Sequence, residues 1–410
     1  MPLVVTPDQA EPGMKLLTPV RRGAAVMLPG GRELSEADLE RLVRRFPQAR
    51  LTVADAALDA AVEFEDDSQD VQLTQQALEH AEACVSMVGQ EQKAHPSKRD
   101  RSAAEIERQV DSVASFLVDN PVGQVVPPVA FESDSYLSDH MSAVFHLAML
   151  LGVRSQHYVV RERLRQTNAR DLSYAIAESL MPLGLGALYM DVAMDELEDL
   201  DTKAGPLTDA DWQRIREHPI KGARRLPDRF PPAARMVVMT HHQSFDGTGY
   251  PDSRGGEKLH VFTRIVRLCD AFDAATSPRP WRPAKSIIRA LWELSRGPYR
   301  GQFDPELVKA LLKLIQPFPV GTKLKLSDGR SGVVCERSTD PFEPIVAVAY
   351  DETGRLMPAE RIESPVRLMG RRGLHMTACG EEDLGYVHER AASAALGDDG
   401  GGAEASTRAA

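Results

Sequence analysis

The chain has 410 residues, 42% of them hydrophobic, and a formal net charge of -11 at pH 7. At ~100 to 200 residues per domain, this length calls for two or three folding units. The acidic balance excludes a broad nucleic-acid footprint, which needs clustered Lys and Arg, so nucleic acid is not an expected partner.

In chain order, Met1 to Val26 holds prolines, Asp8 and Glu11 where a signal peptide would need an apolar run. No stretch approaches the ~18 apolar residues of a bilayer span. A cytoplasmic chain without membrane insertion is therefore expected. Residues 1–62 alternate short β-branched runs with Pro-Gly and Gly-Gly turns around one amphipathic segment. Ser35 precedes that segment, with Asp38 three positions on, the spacing of a capping box. A small α+β N-terminal cap is predicted.

Residues 63–109 read as a linker, opening with the acidic "EFEDDSQD", and helices. Two amphipathic helices are predicted between Val71 and Asn120, separated by the polar "HPSKRDRS" at 95–102. From 110 to 316 the apolar residues recur with helical spacing, as in "SAVFHLAMLLGV" and "SIIRALWELS", and predict an all-α core. Residues 317–368 switch to alternating apolar residues around Asp-Gly and Thr-Gly turns, a β-rich extension. Residues 369–410 form a tail whose end, "ALGDDGGGAEASTRAA", is low in complexity and expected to be disordered. Cys84, Cys269, Cys335 and Cys379 are widely spaced with no CxxC pair, so reduced thiols are expected rather than disulfides or a zinc ribbon.

The chemistry concentrates in "HHQSFDGTGYPD", His241 to Asp252. Adjacent helical residues point about 100° apart, so His241 and His242 share one site only if it wraps around them. Further ligands are available in His218, on a helix that Thr208 and Asp211 signal at its start, and in Asp270, which shares a helical face with Asp273. Imidazoles with carboxylates suit Mn, Fe, Ni or Zn and the activation of water against a phosphodiester.

"HHQSFDGTGYPD" resembles HHExxDGxGYP, the signature of the HD-GYP family of HD-type metal-dependent phosphohydrolases. "LTDADWQRIREHPIKGA" and "RIVRLCDAFDAATSPRPWRPA" resemble further family segments, in family order. The resemblance implies an HD-type helical core, cyclic di-GMP as ligand, and a GGDEF-type diguanylate cyclase or a response regulator as partner. It also implies His140, His218, His241, His242 and Asp270 as residual metal ligands, holding one divalent ion or none. Asp246, Gly247, Gly249, Tyr250, Arg279 and Arg282 match positions that face nucleotide.

Members of the family carry HDIGK before the "LT" segment, its Asp bridging two metals and its Lys approaching phosphate. Anchored on Gly186, these positions fall on Leu183, Gly184 and Ala187, and Leu172 to Met190 contains no histidine and one acidic residue, Glu178. Gln243 also replaces the Glu of HHE. The sequence reading is therefore a protein degenerate at the HD motif, binding nucleotide or a signalling partner without efficient hydrolysis. Its alternatives are a metal-dependent cyclic di-GMP phosphodiesterase with a non-standard or single-metal site, and a purely structural interaction module.

Overall fold

The computed structural model describes residues 2–17, 20–22, 25–46, 49, 51–54, 58, 62, 68–93, 96–120, 136–166, 172–201, 203, 207–278, 282–362, 365–368 and 373–388. Most of the expected acidic linker, the low-complexity end of the tail and Arg279 lie outside them. The chain divides into two compact units, one from the described residues up to Ser68 and from Gln316 onward, the other from those between Gln69 and Ile315.

In the first unit, β1 (Pro2–Val5), β2 (Lys15–Leu16) and β5 (Leu51–Ala54) form an antiparallel sheet in the order β1-β5-β2. β3 (Val20–Arg22) and β4 (Ala25–Leu28) make a separate hairpin. Helix α1 (Glu36–Arg45) starts at the predicted capping box: Ser35 accepts from the Asp38 amide, and the Asp38 carboxylate accepts from the Ser35 amide. Arg32 also donates to Asp38, and these bonds outweigh the burial that would raise its carboxyl, holding it below the usual range.

The C-terminal residues contribute β6 (Lys323–Leu326), β7 (Ser331–Glu336), β8 (Ile345–Tyr350), β9 (Val366–Arg367), β10 (Met376–Cys379) and β11 (Glu382–Asp383). They form one antiparallel sheet, β11-β10-β6-β7-β8-β9, which runs past residue 368 because β10 pairs with β6. The predicted Asp-Gly turn joins β6 to β7, with Gly329 at φ +88° where only glycine is unstrained. Val333, Cys335, Ala347 and Ala349 share one apolar cluster with Leu3, Val5, Leu51 and Val53. The α+β cap and the β extension, far apart in sequence, thus bury a common core.

The second unit is all α: α2 (Ser68–Lys93), α3 (Pro96–Asp119), α4 (Tyr136–Arg154), α5 (Gln156–Gln166), α6 (Tyr174–Glu178), α7 (Met181–Tyr189), α8 (Glu198–Asp201), α9 (Asp209–Arg225), α10 (Pro232–Thr240), α11 (Val261–Thr276), α12 (Ile287–Ser295) and α13 (Pro305–Leu314). The predicted break at 95–102 is narrower than expected, since the chain is already helical at Pro96. Proline in a first turn forfeits no helical hydrogen bond, and Lys and Arg are good helix formers.

Helix α7 is the buried centre of this unit, with every residue from Pro182 to Tyr189 inside. Two glycines let its neighbours approach. A Cβ on Gly184 would overlap Val110 of α3 and come within 3.1 Å of Met149 Sδ and 3.2 Å of Phe145 Cε2 of α4. A Cβ on Gly186 would lie 2.6 Å from Val237 Cβ of α10. The stretch Tyr174–Leu197 is long and apolar enough to cross a membrane by composition, but 72% of its most apolar window is buried in this core.

Candidate metal centre

Four elements converge on one buried point. The first is the turn that leaves α7, where Asp191 sits 7% exposed. The second is α9, whose start is fixed by the predicted Thr208–Asp211 capping box and which carries His218. The third is the C-terminus of α10. His241 is its cap residue, at φ -61° and ψ -14°, and His242 follows as the chain leaves the helix. That departure resolves the 100° problem, because only one histidine of the pair is held to helical geometry.

The fourth is α11, with Asp270 and Asp273. It is anchored by Arg264, whose guanidinium reaches Glu162 Oε2 at 3.0 Å, Asp304 Oδ2 at 2.9 Å and the Tyr158 hydroxyl at 3.0 Å. The buried Arg264 is thus paired and hydrogen-bonded on several sides, the condition under which a buried charge is tolerated.

The donor atoms are oriented by the backbone. His218 Nδ1 donates to the Ile215 carbonyl at 2.5 Å, and His241 Nδ1 to the Val238 carbonyl at 2.9 Å. A ring nitrogen committed as a donor leaves the other with its lone pair. The two Nε2 atoms face each other at 3.1 Å, and they lie 3.1 Å and 3.5 Å from Asp191 Oδ1. Three electron-rich atoms meeting in a buried space repel unless a cation joins them. Ligands on an ion with bonds of ~2.1 Å stand ~3.0 to 3.4 Å apart in octahedral or tetrahedral arrangement, close to these separations. His242 adds a fourth donor, and one ligand atom from each of Asp191, His218, His241 and His242 lies within 4.8 Å of the others. His242 Nδ1 is buried without a hydrogen-bond partner. Burial, followed by the neighbouring His241, pushes this imidazole well below its usual range, which keeps it neutral and able to ligate. The residues present therefore fit a divalent ion.

Asp191 also has a second side. His140 Nε2 is 3.6 Å from Asp191 Oδ2 and 3.2 Å from Asp270 Oδ1, while its Nδ1 is held by Asp273 Oδ2 at 2.6 Å. The carboxylate of Asp191 thus lies between the His218–His241 pair and His140. Burial would raise Asp191, but its position against the imidazoles of His218 and His241 holds its carboxyl well below the usual range. Burial likewise opposes Asp270, and it is outweighed by His140, His242 and Arg267, which hold that carboxyl low too.

Residues 136–307 match the family model described as HD domain. This region is a domain of the HD/HD-GYP phosphodiesterase-like family. Its relatives include the cyclic di-GMP phosphodiesterase PA4108 of Pseudomonas aeruginosa, 35% identical over 157 residues, covering 38% of this chain and 37% of that protein. The cyclic di-GMP phosphodiesterase response regulator RpfG of Xanthomonas campestris is 37% identical over 115 residues, 27% of this chain and 30% of that one. The 3'3'-cGAMP-specific phosphodiesterase 3 of Vibrio cholerae is 34% identical over 119 residues, 28% and 25% respectively. The chain spans well under half the length of each of these relatives.

This HD-GYP chain is not degenerate in the way its sequence suggested. The expected loss of the bridging carboxylate at Leu183 and Gly184 is overturned by Asp191, which completes the cluster with His218, His241 and His242. Leu183, Gly184 and Ala187 are core positions of α7 and face no ligand site. Gly186 is a helix-packing glycine and not the glycine of HDIGK, and the acid stands one residue beyond Met190. With Asp191 on the motif's Asp, Met190 takes the His position, Ala193 the Gly and Met194 the Lys.

The other predicted residues are distributed around this centre. His140 and Asp270 lie beside Asp191, as described. Asp246 is exposed, and its Oδ1 accepts from the Thr248 amide and hydroxyl at 3.0 and 2.7 Å, closing a turn. Gly247 follows at φ +83°. Gly249 packs so tightly that a Cβ would overlap the His242 carbonyl oxygen. The Tyr250 ring stacks on His242 at 4.7 Å and 25°. Gln243 is buried and donates to Asp252, bracing the same loop. Arg282 donates to the Ala274 carbonyl near the end of α11, a helix-terminus contact. Sequence reasoning gave no role to Arg267, whose side chain is buried 3.6 Å from Asp270 Oδ2. Its signal was its position one helical turn before Asp270.

Proposed function

We propose that this chain is a metal-dependent phosphodiesterase of cyclic dinucleotides, with cyclic di-GMP as the first substrate to test. The observation that carries the reading is the convergence of Asp191 Oδ1 with the Nε2 atoms of His218 and His241. Its relatives, phosphodiesterases of cyclic di-GMP and of 3'3'-cGAMP, supply the substrate class.

Asp191, His218, His241 and His242 would hold the ion. A divalent metal there supplies Lewis acidity toward a phosphoryl oxygen and toward water. The Ile215 and Val238 carbonyls fix the tautomers of His218 and His241, so binding costs no rearrangement of the rings. His140, its Nδ1 held by Asp273, presents Nε2 where it can hold or pass a proton. The Gly-Tyr-Pro loop stacks Tyr250 over His242, limiting water on that side. A GGDEF-type cyclase or response-regulator partner is supported by the family resemblance alone.

The test incubates purified full-length protein with Mn or Fe(II) and either cyclic di-GMP or 3'3'-cGAMP, following products by chromatography. Metal-dependent appearance of a linear dinucleotide, abolished by a chelator, is the expected result. Tight nucleotide binding by calorimetry with no turnover under any of these metals would defeat the proposal.

A further inference from the structure

Among the described residues, three buried polar atoms beside the metal centre have no hydrogen-bond partner: Arg267 Nε, the Tyr250 hydroxyl and His242 Nδ1. Such atoms cost roughly 1 to 3 kcal/mol each when left unsatisfied, so their clustering at one place points to a ligand. His242 Nδ1 lies 3.5 Å from Asp270 Oδ2, but the other two are donors, and donors call for an anion.

Arg267 is the unexpected member. Its guanidinium packs against the Phe303 ring at 5.5 Å and approaches Asp270 Oδ2 at 3.6 Å, too far for a good hydrogen bond. Its charge acts on both Tyr250 and His242, which places it toward the Gly-Tyr-Pro loop. A fork of N–H groups held by an aromatic wall suits a phosphate oxygen.

The charges and ligands on the His140 side make the same case. That side offers His140, Asp270 and the outer oxygen of Asp191, while Met190 stands where the HDIGK motif has a histidine. A thioether is a soft, poor ligand for Mn, Fe(II) or Zn beside carboxylates. Met194 likewise stands where the motif has its phosphate-facing lysine. Asp191 and Asp270 are buried carboxylates and Asp273 a partly buried one, and one divalent ion leaves one of their three negative charges unbalanced. Arg267 supplies the remaining positive charge.

Resting on the phosphodiesterase reading, we infer that Arg267 serves as the second cation of this site. It neutralises Asp270 and, with the Tyr250 hydroxyl, donates to a non-bridging oxygen of the substrate phosphate, so that one divalent ion suffices.

The experiment compares full-length wild type, Arg267→Gln and Arg267→Lys, each loaded with Mn. Metal content per chain is measured by elemental analysis, and binding of inorganic phosphate by calorimetry. Wild type should retain one ion per chain, and Arg267→Gln should bind phosphate roughly ten- to hundredfold more weakly, the worth of a charge-assisted hydrogen bond. Arg267→Lys keeps the charge without the fork. It should fall between the two, and it gives the reading if Arg267→Gln does not fold. Two ions per wild-type chain, or unchanged phosphate affinity in both variants, would overturn the inference. Phosphate binding needs no turnover, so a wild type inactive on cyclic dinucleotides would sink the proposed function while leaving the role of Arg267 separately readable.

Discussion

Gly186→Ala tests whether the α7 glycines are packing positions. The added Cβ would stand 2.6 Å from Val237 Cβ and 2.8 Å from its Cγ1, against ~3.5 to 4.0 Å for carbon atoms in contact. Val237 Cβ cannot rotate away, because it is bonded to the α10 backbone, so the two helices must separate. Overpacking costs about 1 to 3 kcal/mol, and a clash with an atom that cannot rotate away takes the upper part of that range, about 2 to 3 kcal/mol, partly offset by a gain of about 1 kcal/mol for replacing glycine inside a helix. A net loss of about 1 to 2 kcal/mol lowers Tm by roughly 2 to 8 °C in a unit of this size. Gly89→Ala in α2 is the control, because among the described residues no atom outside its own stretch of helix lies within 4 Å of its new Cβ and only the propensity gain remains. Thermal unfolding followed by circular dichroism should therefore move in opposite directions for the two variants. Since α7 leads into Asp191 and α10 ends at His241, Gly186→Ala should also weaken metal binding. A Tm raised in both variants would refute the packing argument.

Burial lowers His146 from the ordinary 6.5 to about 4, against the hydrogen bond to the Ala77 backbone that favours its charged form. The unfolded chain therefore takes up this proton before the folded one, so stability is full above about pH 6.5 and falls by up to about 3 kcal/mol toward pH 4. His146→Leu should flatten that slope in urea unfolding measured across pH, and parallel curves for variant and wild type would disprove it. Asp273→Asn removes the negative charge of the acceptor 2.6 Å from His140 Nδ1. It should cost roughly ten- to hundredfold in kcat/KM while the ion at His218 and His241 is retained, which paired kinetics and elemental analysis would show. Chelation should lower the Tm of the metal-loaded protein, by about 2.7 kcal/mol of stability at a free ion concentration 100 times Kd. A Tm indifferent to chelator would mean that no ion is bound in the folded state.

Much of the fold was legible because its signals are local. The capping boxes at Ser35 and Thr208, the Asp-Gly turn at Gly329 and the helical period of 110–316 depend on residues within a few positions of one another. The union of cap and β extension was not legible, because Val53 and Val333 meet across nearly the whole chain and no short-range pattern records that contact. At the site, it was the resemblance to the family that pointed to His140, His218, His241, His242 and Asp270. Asp191 was hidden for a physical reason: the apolar helix before it contains Gly184 and Gly186, either of which imitates a motif glycine, while Met190 removes the histidine that would have marked the register. Arg267 was hidden differently, since a charged residue on an amphipathic helix reads as a solvated face until burial is known.

The most direct test of the account is the metal content of wild type and Asp191→Asn after loading with Mn and exhaustive buffer exchange. The substitution keeps the shape of the side chain and removes the charge that meets His218 and His241. Wild type should hold its ion and Asp191→Asn should lose it, with both proteins equally folded by circular dichroism. Equal retention by the two would contradict Asp191 as the carboxylate of the centre.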